Sequence, residues 1–312
     1  MSILPTNLPI RTKISDPTIL KSAEDASVNF VFNGHEPGVF FECRYVRRYD
    51  NYFAVYLSPQ GGCRQGCYMC HLTATKQTKD ENADMDNLLR QADTVLNWYD
   101  SFCPKAKKVH YNFMARGETF ANPLFLNSSK ELFEKLGERS IQRGLSPRFL
   151  ISTIMPRTLL GKSLSEIFPV ITPEIYYSIY SVRDDFRKKW LPNSMPVNDA
   201  LQMLKEYQED TKKIIKLHWA FIEGENDRLE DVYQICDRVT SVGLRVDFAI
   251  IHYNSYDYSK YGKESSDEIT KRNFEVIKRF MPFSKVKMLT RVGFDVKASC
   301  GMFIEKSSLQ IR

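Results

Sequence analysis

Three cysteines lie within the ten residues "GGCRQGCYMC" (61–70), at Cys63, Cys67 and Cys70. Thiolates bind soft metals, and four of them close a structural zinc site, whereas three leave one coordination position open. Iron–sulfur clusters are also held by thiolates. A four-iron cluster on three cysteines keeps one iron free to bind a small molecule. Gly61, Gly62 and Gly66 would let such a loop curl tightly around it. The competing reading is a structural zinc site with His71 as fourth ligand, although no second C-x2-C half is present to complete the usual pattern. One more cysteine stands alone: Cys300, in "FDVKASCGMF". A solitary cysteine is more often a small buried hydrophobe than a nucleophile, so its neighbours must decide.

Composition narrows the setting. The chain has 312 residues, 43% of them hydrophobic, enough for one large core or two domains. It contains no run of eighteen apolar residues, so no transmembrane helix is expected. The N-terminal stretch lacks the basic start and apolar run of a signal peptide. A soluble cytoplasmic protein is the expectation. Seven cysteines, an odd number, are too few for a disulfide scaffold of this length. Cys103 and Cys236 read as structural. The formal charge is +6, and "RYVRRYDNYF" (44–53), "KAKK" (105–108) and "RDDFRKK" (183–189) place cations in short clusters, two of them with aromatics. Such stretches suit phosphates and stacked bases, or simply a solvated surface. G-x-G-x-x-G after a strand and G-x4-G-K-[ST] are both missing, which removes nucleotide-cofactor and NTPase readings. His71, His110, His218 and His252 show no metalloprotease spacing.

The elements that must position these residues follow an alternating pattern. Short apolar runs at 52–58, 108–114, 148–153, 174–181, 214–222, 245–251 and 285–291 predict strands. Helices are predicted near 85–100, 126–143, 196–210, 226–241 and 266–281. Alternation of this kind implies βαβ units, a parallel sheet and right-handed crossovers, here a partial or full (β/α) barrel. In a barrel, ligands sit at the carboxyl ends of the strands. The cysteine loop follows the first barrel strand, and "RGETFAN" (116–122) the second. Ser152 ends the third, Ser178 lies in the fourth and Asn254 follows the sixth. "VNFVFNGHEPGVFFECRYV" reads as a β-hairpin with an "NGHEPG" turn, and residues 1–26 as an irregular or helical preface. Tyr111, Tyr176, Tyr177 and Tyr253 are candidates for either a cavity wall or the core.

With these motifs in place, the chain resembles the radical S-adenosylmethionine (SAM) superfamily, whose hallmark is the C-x3-C-x2-C loop after the first barrel strand. The resemblance is most specific to its RlmN/Cfr-type adenosine methyl synthases, and runs from about residue 28 to 303. "GFDVKASCG" resembles that family's G-x-D-x-x-x-A-C-G ending, and "LSPQGGCRQGCYMC" its cluster loop. "MARGETFAN" is similar to M-G-M-G-E-P-L-x-N, with Thr119 in place of proline. "LISTIMP", "SIYSVRDDFRKKWLPNS" and "IIHYNSY" resemble three further strand-end motifs, with Tyr180 for histidine and Ser194 for asparagine. The resemblance implies a 4Fe-4S cluster on Cys63, Cys67 and Cys70. It implies SAM contacts from Gly117, Glu118, Ser152, Ser178, Ile179, Tyr180 and Asn254. Cys300 would be the methyl carrier and Glu42, in "ECRYV", the carboxylate base. Because a ring carbon between two nitrogens is not nucleophilic, the family uses two SAM molecules per turnover and a carrier thiol. The implied product is adenosine methylated at C2 or C8 in rRNA or tRNA. A flavodoxin or ferredoxin would donate electrons to a monomer. Residues 1–50 would form a short N-terminal extension with the hairpin, and 51–312 the barrel with its C-terminal carrier loop.

Two departures stand out. The family carries a resolving cysteine seven residues before the first cluster cysteine, and here that position is Tyr56. Cys43 is the nearest spare thiol, but neighbours on a strand point to opposite faces, so packing is its expected role. Only about thirty residues precede the hairpin, where the family has a longer RNA-binding domain, so RNA docking is expected to be reduced or built from the basic loops. These departures sustain a second reading, a radical SAM enzyme of the same ancestry with another substrate or product. A third is a non-catalytic nucleic-acid-binding protein with a structural metal, which leaves "RGE" and "SCG" unexplained.

Overall fold

The computed structural model describes residues 16–102 and 105–305. Among them, ten strands form one sheet whose spatial order is the order of the sequence. β1 (Thr18–Lys21), β2 (Val28–Asn33), β3 (Phe40–Tyr49) and β4 (Tyr52–Leu57) are antiparallel neighbours. From β4 onward every pairing is parallel, through β5 (Lys108–Phe113), β6 (Ser146–Thr153), β7 (Glu174–Ser178), β8 (Ile215–Ala220), β9 (Val246–Ile251) and β10 (Val286–Met288). β10 does not return to β1, so the barrel is partial. The sheet runs unbroken from the hairpin into the barrel, with Arg44 opposite Tyr56 across the β3–β4 turn.

The crossover helices form where periodicity predicts them. In the helix Met85–Phe102, Leu88, Leu89, Ala92, Val95, Leu96 and Tyr99 share one buried face. The Asp84 side chain accepts from Asn87 N at 2.8 Å and caps its first turn. Burying each leucine contributes about 2 kcal/mol, far more than helix propensity does. Helices Ser129–Ile141, Val197–Thr211, Leu229–Val242 and Asp267–Phe280 pack by the same logic. None of the described helices is long and apolar enough to cross a membrane.

Three expectations need correction. The preface is not irregular or helical throughout: Thr18–Lys21 is a strand, because Leu20 is buried beside Val31, Phe40 and Ile304. Residues 1–15 and Cys103 lie outside the described residues. β7 ends at Ser178 and does not continue to 181. There the chain turns sharply, with Tyr180 at φ +50° and Ser181 N donating to Ile179 O at 2.5 Å. The last strand is likewise shorter than its apolar run, spanning only Val286–Met288.

Candidate active site

The cysteine loop leaves β4 and is pressed against the segment that follows it. Cys63 N donates to Gln77 O at 3.1 Å and Gly61 N to Glu81 O at 2.8 Å. A Cβ on Gly62 would lie 2.1 Å from Lys79 O, so only glycine permits this approach. Cys63, Cys67 and Cys70 line one cavity of about 130 Å³ together with Gly117, Glu118, Ser152 and Ser178. Burial raises all three thiols above their ordinary range, and at Cys67 the neighbouring thiols add to it. A cationic centre is what would favour their thiolates. Among the described residues no three His, Cys, Asp or Glu side chains converge on a single ion. His71, the zinc alternative's fourth ligand, instead donates Nε2–H to Asn254 O at 3.0 Å. The three cysteines around one cavity therefore fit a polynuclear cluster better than one tetrahedral ion.

The strand ends bring most of the other predicted residues to the same place. Gly117 follows β5 at φ +92°, where a Cβ would stand 2.5 Å from Gln60 Cβ. Glu118 N donates to Gln60 Oε1 at 3.0 Å. Its carboxylate accepts from Phe120 N and Ile154 N, yet burial pushes it up to about 7. Ser152 and Ser178 border both this cavity and an adjoining one of about 610 Å³, which Tyr180 also lines. Ile179 is different, since its side chain is sealed in the apolar core. Asn254 sits behind the C-terminal loop, donating to Cys300 O at 2.8 Å and to Ser299 Oγ at 3.2 Å. Its buried Oδ1 has no partner, an acceptor left free.

Cys300 opens onto the larger cavity and is the exposed one of the six described cysteines. Atoms packed around it still push its thiol up to about 11, with Cys70 adding to burial and Arg44 and Arg48 opposing it. Tyr56 lines the same cavity and pairs with Arg48. Cys43 faces the other side of β3 and is buried in the apolar core, as strand alternation requires. Cys236 is buried as well. Of the four tyrosines, Tyr176 lines the cavity, Tyr111 and Tyr177 pack in the core, and Tyr253 is buried with its hydroxyl on Tyr261 O.

Glu42 is not in the cavity wall. It is 0% exposed on β3, and Oε1 accepts from Arg116 Nη1 (2.7 Å) and Ile304 N (2.9 Å). Oε2 accepts from Arg44 Nη2 and Asn29 Nδ2, both at 2.9 Å. Arg44 and Arg116 were missed as individual residues by sequence reasoning. The basic–aromatic stretch that contains Arg44 turns inward, and Arg44, Arg48, Tyr49 and Tyr52 all line the cavity. Arg187, in the third basic stretch, is buried and donates to Ile179 O, Ser181 O, Ser194 Oγ and Met195 O.

No family model matches the chain. Curated relatives do. It is 24% identical over 260 residues to the dual-specificity RNA methyltransferase RlmN of Aliarcobacter butzleri, covering 82% of this chain and 68% of that one. A probable RlmN of Clostridium acetobutylicum is 25% identical over 314 residues, covering 94% and 82%. The ribosomal RNA large subunit methyltransferase Cfr of Clostridium botulinum is 26% identical over 265 residues, covering 81% and 70%. Among solved structures, a radical SAM methyltransferase from Sphaerobacter thermophilus matches with a TM-score of 0.75 at 17% identity, over 95% of this chain and 82% of that one. Streptococcus suis SuiB bound to S-adenosylmethionine matches at 0.52 and 13%, over 81% and 53%. The structural matches speak for the fold, and the sequence matches for the branch within it. Over most of its length the chain is thus similar to RNA methyltransferases of the RlmN/Cfr type, and its fold is similar to that of a radical SAM methyltransferase.

Proposed function

We propose that this chain methylates a ring carbon, C2 or C8, of adenosine in rRNA or tRNA, with Cys300 as methyl carrier. The observation that carries the reading is the adjacency of two cavities. One is lined by Cys63, Cys67 and Cys70, the other by Cys300, and Ser152 and Ser178 border both. A 4Fe-4S cluster and SAM, when bound, supply a methyl cation for a thiolate and, on one-electron reduction, a hydrogen-abstracting radical. Two SAM molecules per turnover and a flavodoxin or ferredoxin as electron donor follow from the family resemblance.

The protein's own part is placement and proton control. Cys300 must lose its proton to become nucleophilic, and Arg44 and Arg48 act in that direction. Gly117, by approaching Gln60 closely, sets Glu118 against the cysteine cavity. There the Glu118 carboxylate would meet the ammonium of SAM, and the serine hydroxyls of β6 and β7 its polar groups. The free Oδ1 of Asn254 offers an acceptor beside the carrier loop.

Tyr56 supports a second reading, the same chemistry with another product or substrate, because a phenol on the cavity wall cannot form a disulfide with Cys300. Two measurements separate the readings. Mass analysis of the tryptic peptide "ASCGMFIEK", from protein made with its cluster intact, should show one methyl on Cys300. Anaerobic incubation with rRNA and tRNA, followed by nucleoside digestion, should yield methyladenosine. A methylated Cys300 without methyladenosine favours the second reading. An unmodified thiol, despite full cluster and ample SAM, overturns the carrier role.

A further inference from the structure

We propose that Glu42 is a positioning residue: with Arg44 and Arg116 it braces the segment that carries Cys300, and it moves no proton. A carboxylate offers about four acceptor sites. All four are engaged, by Arg116, Ile304 N, Arg44 and Asn29 at 2.7–2.9 Å. A general base needs a free lone pair within reach of its proton, and Glu42 has neither a free site nor a place on the cavity wall. The two guanidinium groups also hold its carboxyl below the usual range against the effect of burial.

The partners of Glu42 all reach the C-terminal loop. Arg44 Nη1 donates to Ala298 O at 3.0 Å and Arg44 Nη2 to Met302 O at 2.8 Å. Arg116 Nη1 donates to Ile304 O at 3.2 Å, and Asn29 Nδ2 to Val296 O at 3.1 Å. Both arginines lie over the Phe303 ring. Carbonyls on either side of Cys300 are thus held by cations, and Glu42 is the anion that lets two buried guanidinium groups lie side by side. If Glu42 were absent, the cations would repel and release the loop.

The link to methyl transfer rests on the proposed function, but the brace itself is testable without it. Hydrogen–deuterium exchange of full-length Glu42→Gln should rise at least about tenfold in residues 296–304, the size expected for losing charge-assisted hydrogen bonds, while β5 to β8 stay protected. Asn29→Ala, a milder change, should raise exchange in the same segment by less, and it serves if Glu42→Gln does not fold. Methylation of Cys300 should fall in step with loop exchange. The proposal is overturned if exchange at 296–304 is native in the variants. It is equally overturned if Glu42→Gln methylates Cys300 normally and loses only the RNA product, the signature of a base. If the unmutated protein never methylates Cys300, the carrier role fails and the exchange result still decides the brace.

Discussion

Gly62 offers the sharpest test of how the cysteine loop is built. A methyl group there would sit 2.1 Å from Lys79 O, 2.7 Å from Gln77 O and 2.9 Å from Lys79 C. All three are backbone atoms, so no side chain can swing away. Relief requires the 61–63 and 77–81 segments to separate by about 1 Å, an overpacking cost of roughly 1–3 kcal/mol. Separation also stretches the Cys63 N–Gln77 O and Gly61 N–Glu81 O hydrogen bonds, each worth about 1 kcal/mol. Gly62→Ala should therefore destabilise the protein by about 3 kcal/mol and lower its melting temperature by about 5 °C. Because the displaced residue adjoins Cys63, iron bound after anaerobic reconstitution should fall by more than the stability loss alone explains. Gly144→Ala is the control: a Cβ there meets nothing within 4 Å, and its only strain is the positive φ of +70°, which Gly62 does not share. It should cost about 1 kcal/mol and load iron normally. Native melting and full iron in Gly62→Ala would refute the account of the loop.

Three further outcomes follow from the site. Arg116→Met leaves Glu42 with one guanidinium fewer in a fully buried position and should cost about 3–5 kcal/mol by chemical denaturation. The Glu118 carboxyl, carried by burial from its ordinary 4.5 to about 7, holds its proton more tightly folded than unfolded. Stability of the metal-free protein should thus fall by about 3 kcal/mol as pH rises from about 4.5 through 7, and a denaturation series on Glu118→Gln should be flatter across that range. A slope unchanged by the substitution would show that Glu118 is not the titrating group. Tyr56→Cys restores a thiol to the wall shared with Cys300. Under the adenosine reading it should speed release of methylated RNA by about tenfold or more in single-turnover assays, whereas no change would place resolution elsewhere.

Much of the architecture was legible because it depends on local pattern. Seven strands and five helices announce themselves by apolar runs and 3.6-residue spacing, and the crossover rule then orders the sheet. The strand-end placement of Gly117, Glu118, Ser152 and Ser178 followed directly. β1 escaped notice because four residues carry no period, and its burial depends on Val296, Ala298 and Ile304, far along the chain. The turn at Tyr180 escaped because backbone hydrogen bonds outside regular elements leave no trace in residue type. The surroundings of Glu42 were equally hidden. Its partners Arg116 and Ile304 lie 74 and 262 positions away, and only folding reveals that they share one carboxylate. The inward turn of the basic–aromatic stretch shows the same limit, since charge composition does not say which face of a strand meets a cavity.

The open seam of the sheet has a consequence for the order in which the molecule assembles. Each strand pairs with its neighbour in the chain, so the ladder can form progressively, one crossover at a time, the longest running from Leu57 to Lys108. The joint between the two ends is different: Ser22 and Ala23 bond Asp295, and Gly293 N donates to Asp25, across about 270 positions. Closing so long a loop carries the largest entropic cost in the fold and is repaid only once both partners are in place. The ends should therefore meet last, and Cys300 is delivered in that same step. A molecule caught before it would have its sheet and its cysteine loop but no Cys300 beside them, so under the proposed carrier role the final event of folding is also the one that completes the site.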